Sequence, residues 1–361
     1  MITKLLNIAL AGLVFGLFLF LAGCSSDNGS GADTTVAEET GDQIAEDDIP
    51  ALDTEEVAAV AQADQIGTEQ NVSLSADNTG GKTKSPILDV IQKDTLLYLL
   101  LENGLAVHRL TDGNNTFITS PSRLGAMVEI EGKIFAGGDN LYTLEGDYFS
   151  AGDFNLKLAG FITVLEPCGQ KLMVGTSQGL YEVSQGGVRE LAADIFVSAM
   201  QSEPGGVWVG TSGNGLYFWN GQDFHKRYLK RDPALFDQVT ALDFSHDHLY
   251  LGTNRGLYIF DGGRWQSFGL ADGLPSETIT AIDAGDWVVK VGTANGAVDF
   301  FNNEFKLIAP LEGVAVHAFV QDGRKLYMTT AEGLVMKSGG LLTRLFDGDM
   351  NTPPMAVEAT Y

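Results

Sequence analysis

A short phrase recurs along the chain, clearest as GTSQGLYEV, GTSGNGLYFW, GTNRGLYIF and GTANGAVDFF, and it returns at intervals near 38 residues. Taking the residue at its first glycine as a marker gives Leu100, Gly137, Gly175, Gly210, Gly252, Gly292 and Thr329, with spacings of 37, 38, 35, 42, 40 and 37. Each copy holds three or four runs of alternating apolar residues separated by Gly, Asn or Asp, the pattern of an antiparallel meander. One such meander cannot bury its two faces alone, but stacked copies can. The architecture that follows is all-β, a β-propeller with one four-stranded blade per copy. Seven markers predict seven blades. Leu100 and Thr329 replace the glycine in the first and seventh copies, and Asn140 stands near the turn of the second; these degenerate copies leave six or eight blades as alternatives.

Within a copy, VTALD (239–243), ITAID (279–283), VSAMQ (197–201), ITVLE (162–166) and VHAFV (316–320) are expected to be innermost strands. Small residues such as Ala199, Ala241, Ala281 and Ala318 relieve crowding there. The second strand carries VWVGT (207–211), LYLGT (249–253), LMVGT (172–176) and LYMTT (326–330), with large side chains between blades. A tight turn follows at Gly104, Gly179, Gly215, Gly256, Gly296 and Gly333, where glycine permits positive φ. Outer strands are shorter and more polar, as at 305–309, which protects an exposed edge. Ring closure is expected from packing alone, or from residues 72–75 or 355–360 adding an edge strand.

The net charge of −25 and the absence of a basic cluster exclude a nucleic-acid surface, which needs grouped Lys and Arg to displace counterions. The acid is uneven. Residues 25–81 hold fourteen Asp or Glu and no Lys or Arg, whereas 21 basic and 33 acidic residues leave 82–361 at −12. With few aromatics, residues 24–81 read as a disordered acidic tether, because they bury too little apolar surface to offset ordering entropy. A short helix over 53–65 is a local exception, with Thr54 in a capping-box position. The domains expected are a leader at 1–23, the tether at 24–81, the propeller at 82–347 and a tail at 348–361.

Two cysteines are present, Cys24 and Cys168. Cys24 closes Leu21-Ala22-Gly23-Cys24 after Lys4 and an apolar run from Leu5 to Leu21, the form of a signal peptide. Leu-Ala-Gly-Cys resembles the lipobox of bacterial lipoproteins, which implies lipidation of Cys24, cleavage before it and anchoring to the membrane. A plain transmembrane anchor is the alternative. Ser25 after the cysteine resembles an outer-membrane sorting pattern, which implies the bacterial cell envelope, with the outer membrane, facing periplasm or surface, ahead of the inner membrane. Cys168, in Glu166-Pro167-Cys168-Gly169, then has no intramolecular partner and reads as a turn thiol.

The phrases VWVGTSGNGLYFWNG, LYLGTNRGLYIFDGGRWQSF and GLADGLPSETITAI (269–282) resemble the two-component-regulator propeller repeat. The resemblance covers roughly 82–347. It implies the sensor-type propeller that such repeats usually form in hybrid histidine kinases, but the kinase and the immunoglobulin-like domain of those proteins have no counterpart in this sequence.

Catalytic constellations are absent from the motifs: there is no GxSxG, P-loop or HExxH. His246-Asp247-His248 is the one histidine cluster, and it reads as a solvated turn with metal chelation as the alternative. Glu129, Glu166, Gln201, Asp243 and Asp283 occupy similar places late in inner strands. If they face the channel, the carboxylates Glu129, Glu166, Asp243 and Asp283 form a partial ring able to hold Ca²⁺ or a polyamine; the alternative is that they simply face solvent at the channel mouth, and no other cofactor is implied. Lys290 breaks the apolar pattern of Tyr98, Phe135, Met173, Trp208, Tyr250 and Tyr327, and is expected to carry its charge to the rim. The second-to-third strand turns and the blade connections place Asn103, Gln178, Asn214, Arg231, Arg255, Asn295 and Glu332 on one face as ligand-binding candidates. The function expected is a non-enzymatic binding or scaffolding module, linked to sensing, for a protein partner or small periplasmic ligand. A propeller lyase or hydrolase with its site at the channel mouth is one alternative. An outer-membrane assembly scaffold is another, although the Ala-Leu-Asp…Thr-Gly…Trp signature of that family's repeats does not recur in these copies.

Overall fold

Residues 86–151, 158–184, 187–227, 238–285, 287–308, 311, 313–339, 341–346 and 355–357 are described by a computed structural model of the chain. The leader, Cys24, the tether with residues 72–75, and Arg231 lie outside the described residues. The repeats fold as seven antiparallel sheets arranged in a ring, each a meander in which neighbours in sequence are neighbours in the sheet. The fold is a seven-bladed propeller. The inner strands are Asp89–Lys93, Leu124–Ile130, Ile162–Cys168, Val197–Glu203, Val239–Ser245, Ile279–Ala284 and Val316–Asp322. The degenerate first, second and seventh copies are therefore full blades.

The core is not one mass but seven seams, since each apolar cluster joins two consecutive blades. The marker glycine of the phrase explains their spacing. A Cβ on Gly210 would lie 2.3 Å from Cγ1 of Val239, the first residue of the next inner strand. Gly137 against Ile162, Gly175 against Val197 and Gly252 against Ile279 repeat the contact at 2.5–2.6 Å. Blades approach closely where this glycine meets a β-branched residue of the next blade. The seam between blades 7 and 1 is built differently. Thr329 stands at the glycine position there, and Leu97, Leu99, Leu101 and Ile87 of blade 1 pack on Tyr327, Leu334 and Phe346 of blade 7; the seam of blades 1 and 2 also lacks the glycine, with Leu100 in its cluster. Among the described residues no strand is shared between the chain ends, and blades 7 and 1 meet by packing. Met355–Val357 does add a fifth strand, but to the outer edge of blade 7, where it pairs with Leu342 to Arg344.

Hydroxyl groups lock the inner ring. Six inner strands slip register by one residue near their start, and such a bulge re-aims the extra side chain. At three of these bulges the extra residue bonds to the next blade: Thr163 donates to the Val197 carbonyl at 2.6 Å, Ser198 to that of Val239 at 2.6 Å, and Thr280 to that of Val316. Thr163→Val keeps the shape and removes the donor. It is expected to lower stability by about 1 kcal/mol, seen as a shift of the urea midpoint at constant slope.

Candidate functional site

In a meander of this kind the first-to-second and third-to-fourth turns share one end of the ring, and the second-to-third turns share the other. Asn103, Gln178, Asn214, Arg255, Asn295 and Glu332 all stand at the latter end, one in each blade except blade 2, so they are spread around the ring rather than drawn to one point. Their turns are held by the threonine of the phrase. The N–H groups of Gln178, Asn214, Arg255, Asn295 and Glu332 donate to the hydroxyls of Thr176, Thr211, Thr253, Thr293 and Thr330 at 2.9–3.1 Å. The same hydroxyls donate onward to Gly179, Gly215, Gly256, Gly296 and Gly333. Gly256 has φ of 116°, as this turn demands, whereas Gly179 departs from the expectation and is not among the positive-φ residues. Side chains at two of the positions also serve the fold: Asn295 donates to the Pro275 carbonyl at 3.2 Å and Glu332 pairs with Arg344.

The channel residues are sorted by register. Glu166 pairs with Met173, Gln201 with Trp208, Asp243 with Tyr250 and Asp283 with Lys290. In blade 2 the residue at this place is Val128, opposite Phe135, while Glu129 lies opposite Ile134 and is exposed. The expectation for Glu129 is corrected accordingly, because one step along a strand turns a side chain to the other face. The remaining carboxylates clasp blades. Glu166 accepts from the Ser202 N–H of the next blade at 2.8 Å, and Asp243 accepts from the Ala284 N–H at 2.7 Å. These N–H groups belong to inner strands, whose inner edge has no neighbouring strand. Burial pushes Glu166 up to about 7 and Asp243 up to about 6, against the opposing pull of those N–H bonds. Lys290 does not run to the rim but forms an ion pair with Asp283 across the strands at 3.3 Å. Asp89, not singled out from the sequence, stands where most blades have alanine; burial pushes it up to about 7. Among the described residues, no three His, Cys, Asp or Glu side chains come together with metal-holding geometry.

A cleft of about 230 Å³ opens at the other end of the ring, between blades 5 and 6. Two hairpin tips with positive φ at both central residues frame it, His246-Asp247 and Asn302-Asn303, the geometry of type I′ turns. His248, Tyr250, Asp261, Gln266, Trp287 and Phe301 also line it. The histidine cluster is thus a turn, as expected, but one that borders a cleft. His248 Nδ1 lies 2.7 Å from the His246 carbonyl, and His246 Nδ1 lies 2.9 Å from the Ser245 hydroxyl. Backbone N–H groups of Arg264 and Gly263 hold the Asp261 carboxyl below the usual carboxylate range. Trp287 is 84% exposed and Phe301 52%. Aligning the copies on the GT pair places Trp287 opposite Asp247. An indole at a polar turn position is the signal in the sequence that points to it.

Cys168 is buried at the end of the third inner strand, which corrects the expectation of a thiol in a turn.

No family model matches the chain, and no curated relative matches it in sequence. Solved structures do match. The WD40 β-propeller domain of Doa1 superposes with a TM-score of 0.57 at 14% identity, covering 71% of this chain and 93% of that one. YCF48, solved bound to a D1 peptide, gives 0.56 at 13% identity over 76% of this chain and 95% of that one. PorZ, a surface component of the type-IX secretion system of Porphyromonas gingivalis, gives 0.53 at 11% identity over 77% of this chain and 39% of that one. At these identities the likeness is one of fold, and the chain is a seven-bladed β-propeller.

Proposed function

We propose that the chain is a non-enzymatic binding or scaffolding module of the bacterial cell envelope, anchored by lipid on Cys24, for a protein or a small periplasmic ligand. The observation that carries this reading is the use made of the repeated polar groups. Glu166 and Asp243 clasp neighbouring blades, Asp283 pairs with Lys290, and the phrase threonines hold turns. These groups build a rigid ring, and surface loops and a cleft are left to meet a partner. Support comes also from the neighbours: YCF48 was solved with a bound peptide and PorZ is a surface component of a secretion system. The GLADGLPSETITAI stretch (269–282) favours a link to sensing.

Expressed with its leader, the chain is expected in the membrane fraction with diacylglycerol on an N-terminal Cys24. A Cys24→Ala variant that remains membrane-bound after signal cleavage overturns the anchor, as does a disulfide joining the Cys24 and Cys168 peptides in a non-reducing map. Crosslinking in intact envelopes tests the binding half. A discrete adduct with one partner supports it, and a chain that forms none counts against it.

A further inference from the structure

We propose that the cleft between blades 5 and 6 binds an organic cation, the ammonium or guanidinium head of a small amine or of a partner's Lys or Arg side chain. This rests on the binding-module reading and gives it a ligand class. The walls include the aromatic rings of Tyr250, Phe300, Phe301 and Trp287, and the negative face of such a ring attracts a cation. Asp261 supplies a carboxylate kept ionised by two backbone N–H groups. Its present counter-ion is Arg264, 3.6 Å away with a side chain 84% exposed, a solvent-screened pair that a bound cation can displace.

Other ligand classes fit less well. Among the described residues no Lys or Arg lines the cleft, and the chain carries −25 overall, so an anion meets repulsion while cations are concentrated by the same field. An uncharged apolar ligand would desolvate the Asp261 carboxylate without supplying a charge to offset that cost. The volume, about 230 Å³, is below the ~300–1,000 Å³ of pockets for drug-sized ligands. It suits a cationic head with a few methylenes. Nor does the fold account for Trp287, which sits at a hairpin tip where the blade 5 copy has Asp247 and is largely in water.

Calorimetric titration of the full mature chain with butylguanidinium tests the site, with 1-pentanol as the uncharged counterpart. Saturable heat with the cation and none with the alcohol is expected. Trp287→Ala and Asp261→Asn should each weaken binding by about tenfold or more, with the melting temperature unchanged. Asparagine keeps the acceptor for the Gly263 and Arg264 N–H groups, so its loss of affinity reports charge rather than a broken turn. The peptide Gly-Ser-Arg-Ser-Gly, against the same peptide with norleucine, separates the sources. Affinity well above that of butylguanidinium assigns the cation to a partner protein, and equal affinity assigns it to a free amine. Absence of saturable heat with either cation, equal binding of the alcohol, or unchanged affinity in both variants overturns the site. Such a failure leaves an envelope crosslink standing, whereas failure of both removes the binding reading as well.

Discussion

Gly210→Ala is expected to destabilise the propeller by about 1–3 kcal/mol, the usual cost of overpacking a well-packed core. The new methyl would sit 2.3 Å from Cγ1 and 2.8 Å from Cβ of Val239. Neither atom can retreat freely, because Val239 begins the next inner strand, is 1% exposed, and accepts the Ser198 hydroxyl through its carbonyl. Gly210 is not among the positive-φ residues, so the cost is steric rather than conformational. That separates it from the turn glycines. Val239→Ala on its own leaves a cavity and is destabilising too; in the double variant it removes the closest clash. The pair should then cost less than the sum of the singles, a coupling expected only for residues in contact. Gly263→Ala, whose added Cβ meets nothing nearer than 3.7 Å, is the control and should shift stability by no more than about 0.5 kcal/mol. Additive losses in the double variant would sink this account of the phrase glycine.

The chain should also be more stable at pH 5 than at pH 8. Glu166 and Asp89 are raised to about 7 and Asp243 to about 6, from ordinary values of 4.5 and 3.8. Between the ordinary and the raised value the folded state holds a proton that the unfolded state has released, so stability falls as pH rises through that window. The penalty is complete above about pH 7 and gone below about pH 4 on these three groups. Self-repulsion of a chain at −25 acts in the same direction, so the total slope does not identify the groups. Glu166→Gln does. The amide keeps an acceptor for the Ser202 N–H and carries no charge to desolvate, so the variant should match the parent at pH 5, exceed it at pH 8, and show a shallower pH dependence in thermal melts. A variant that melts lower than the parent at pH 8 would falsify the assignment of a buried-charge penalty to Glu166.

Much of this architecture is legible in the linear chain because its signals are local. Period-two apolar runs, turn glycines and the GT pair act within one copy, so VTALD (239–243) and its relatives mark inner strands before any contact is known. The register of a side chain is less legible. Glu129 and Val128 differ by one position in a strand whose start carries a bulge, and a bulge is invisible to simple counting. Thr163 and Ser198 are in the same position: a hydroxyl beside an apolar inner residue is ordinary in sequence, and its bond to the next blade exists only once the blades are side by side. Lys290 was visible as an exception, but its partner Asp283 is named by cross-strand pairing.

The sequence by itself determined the repeat and the kind of ring it builds, since each depends on alternation and turn chemistry over roughly 40 residues; it pointed to seven meanders, and the structure decided between seven and the alternatives of six or eight. Tertiary structure alone decided how the ring closes, through the apolar seam of blades 7 and 1. It also decided which carboxylates become clasps and where aromatic groups gather into a cleft. These features join residues far apart in the chain, 36 and 41 positions at the two clasps and the opposite ends of the propeller at the closing seam, across distances set by what fits between blades. No pattern along one strand contains that information.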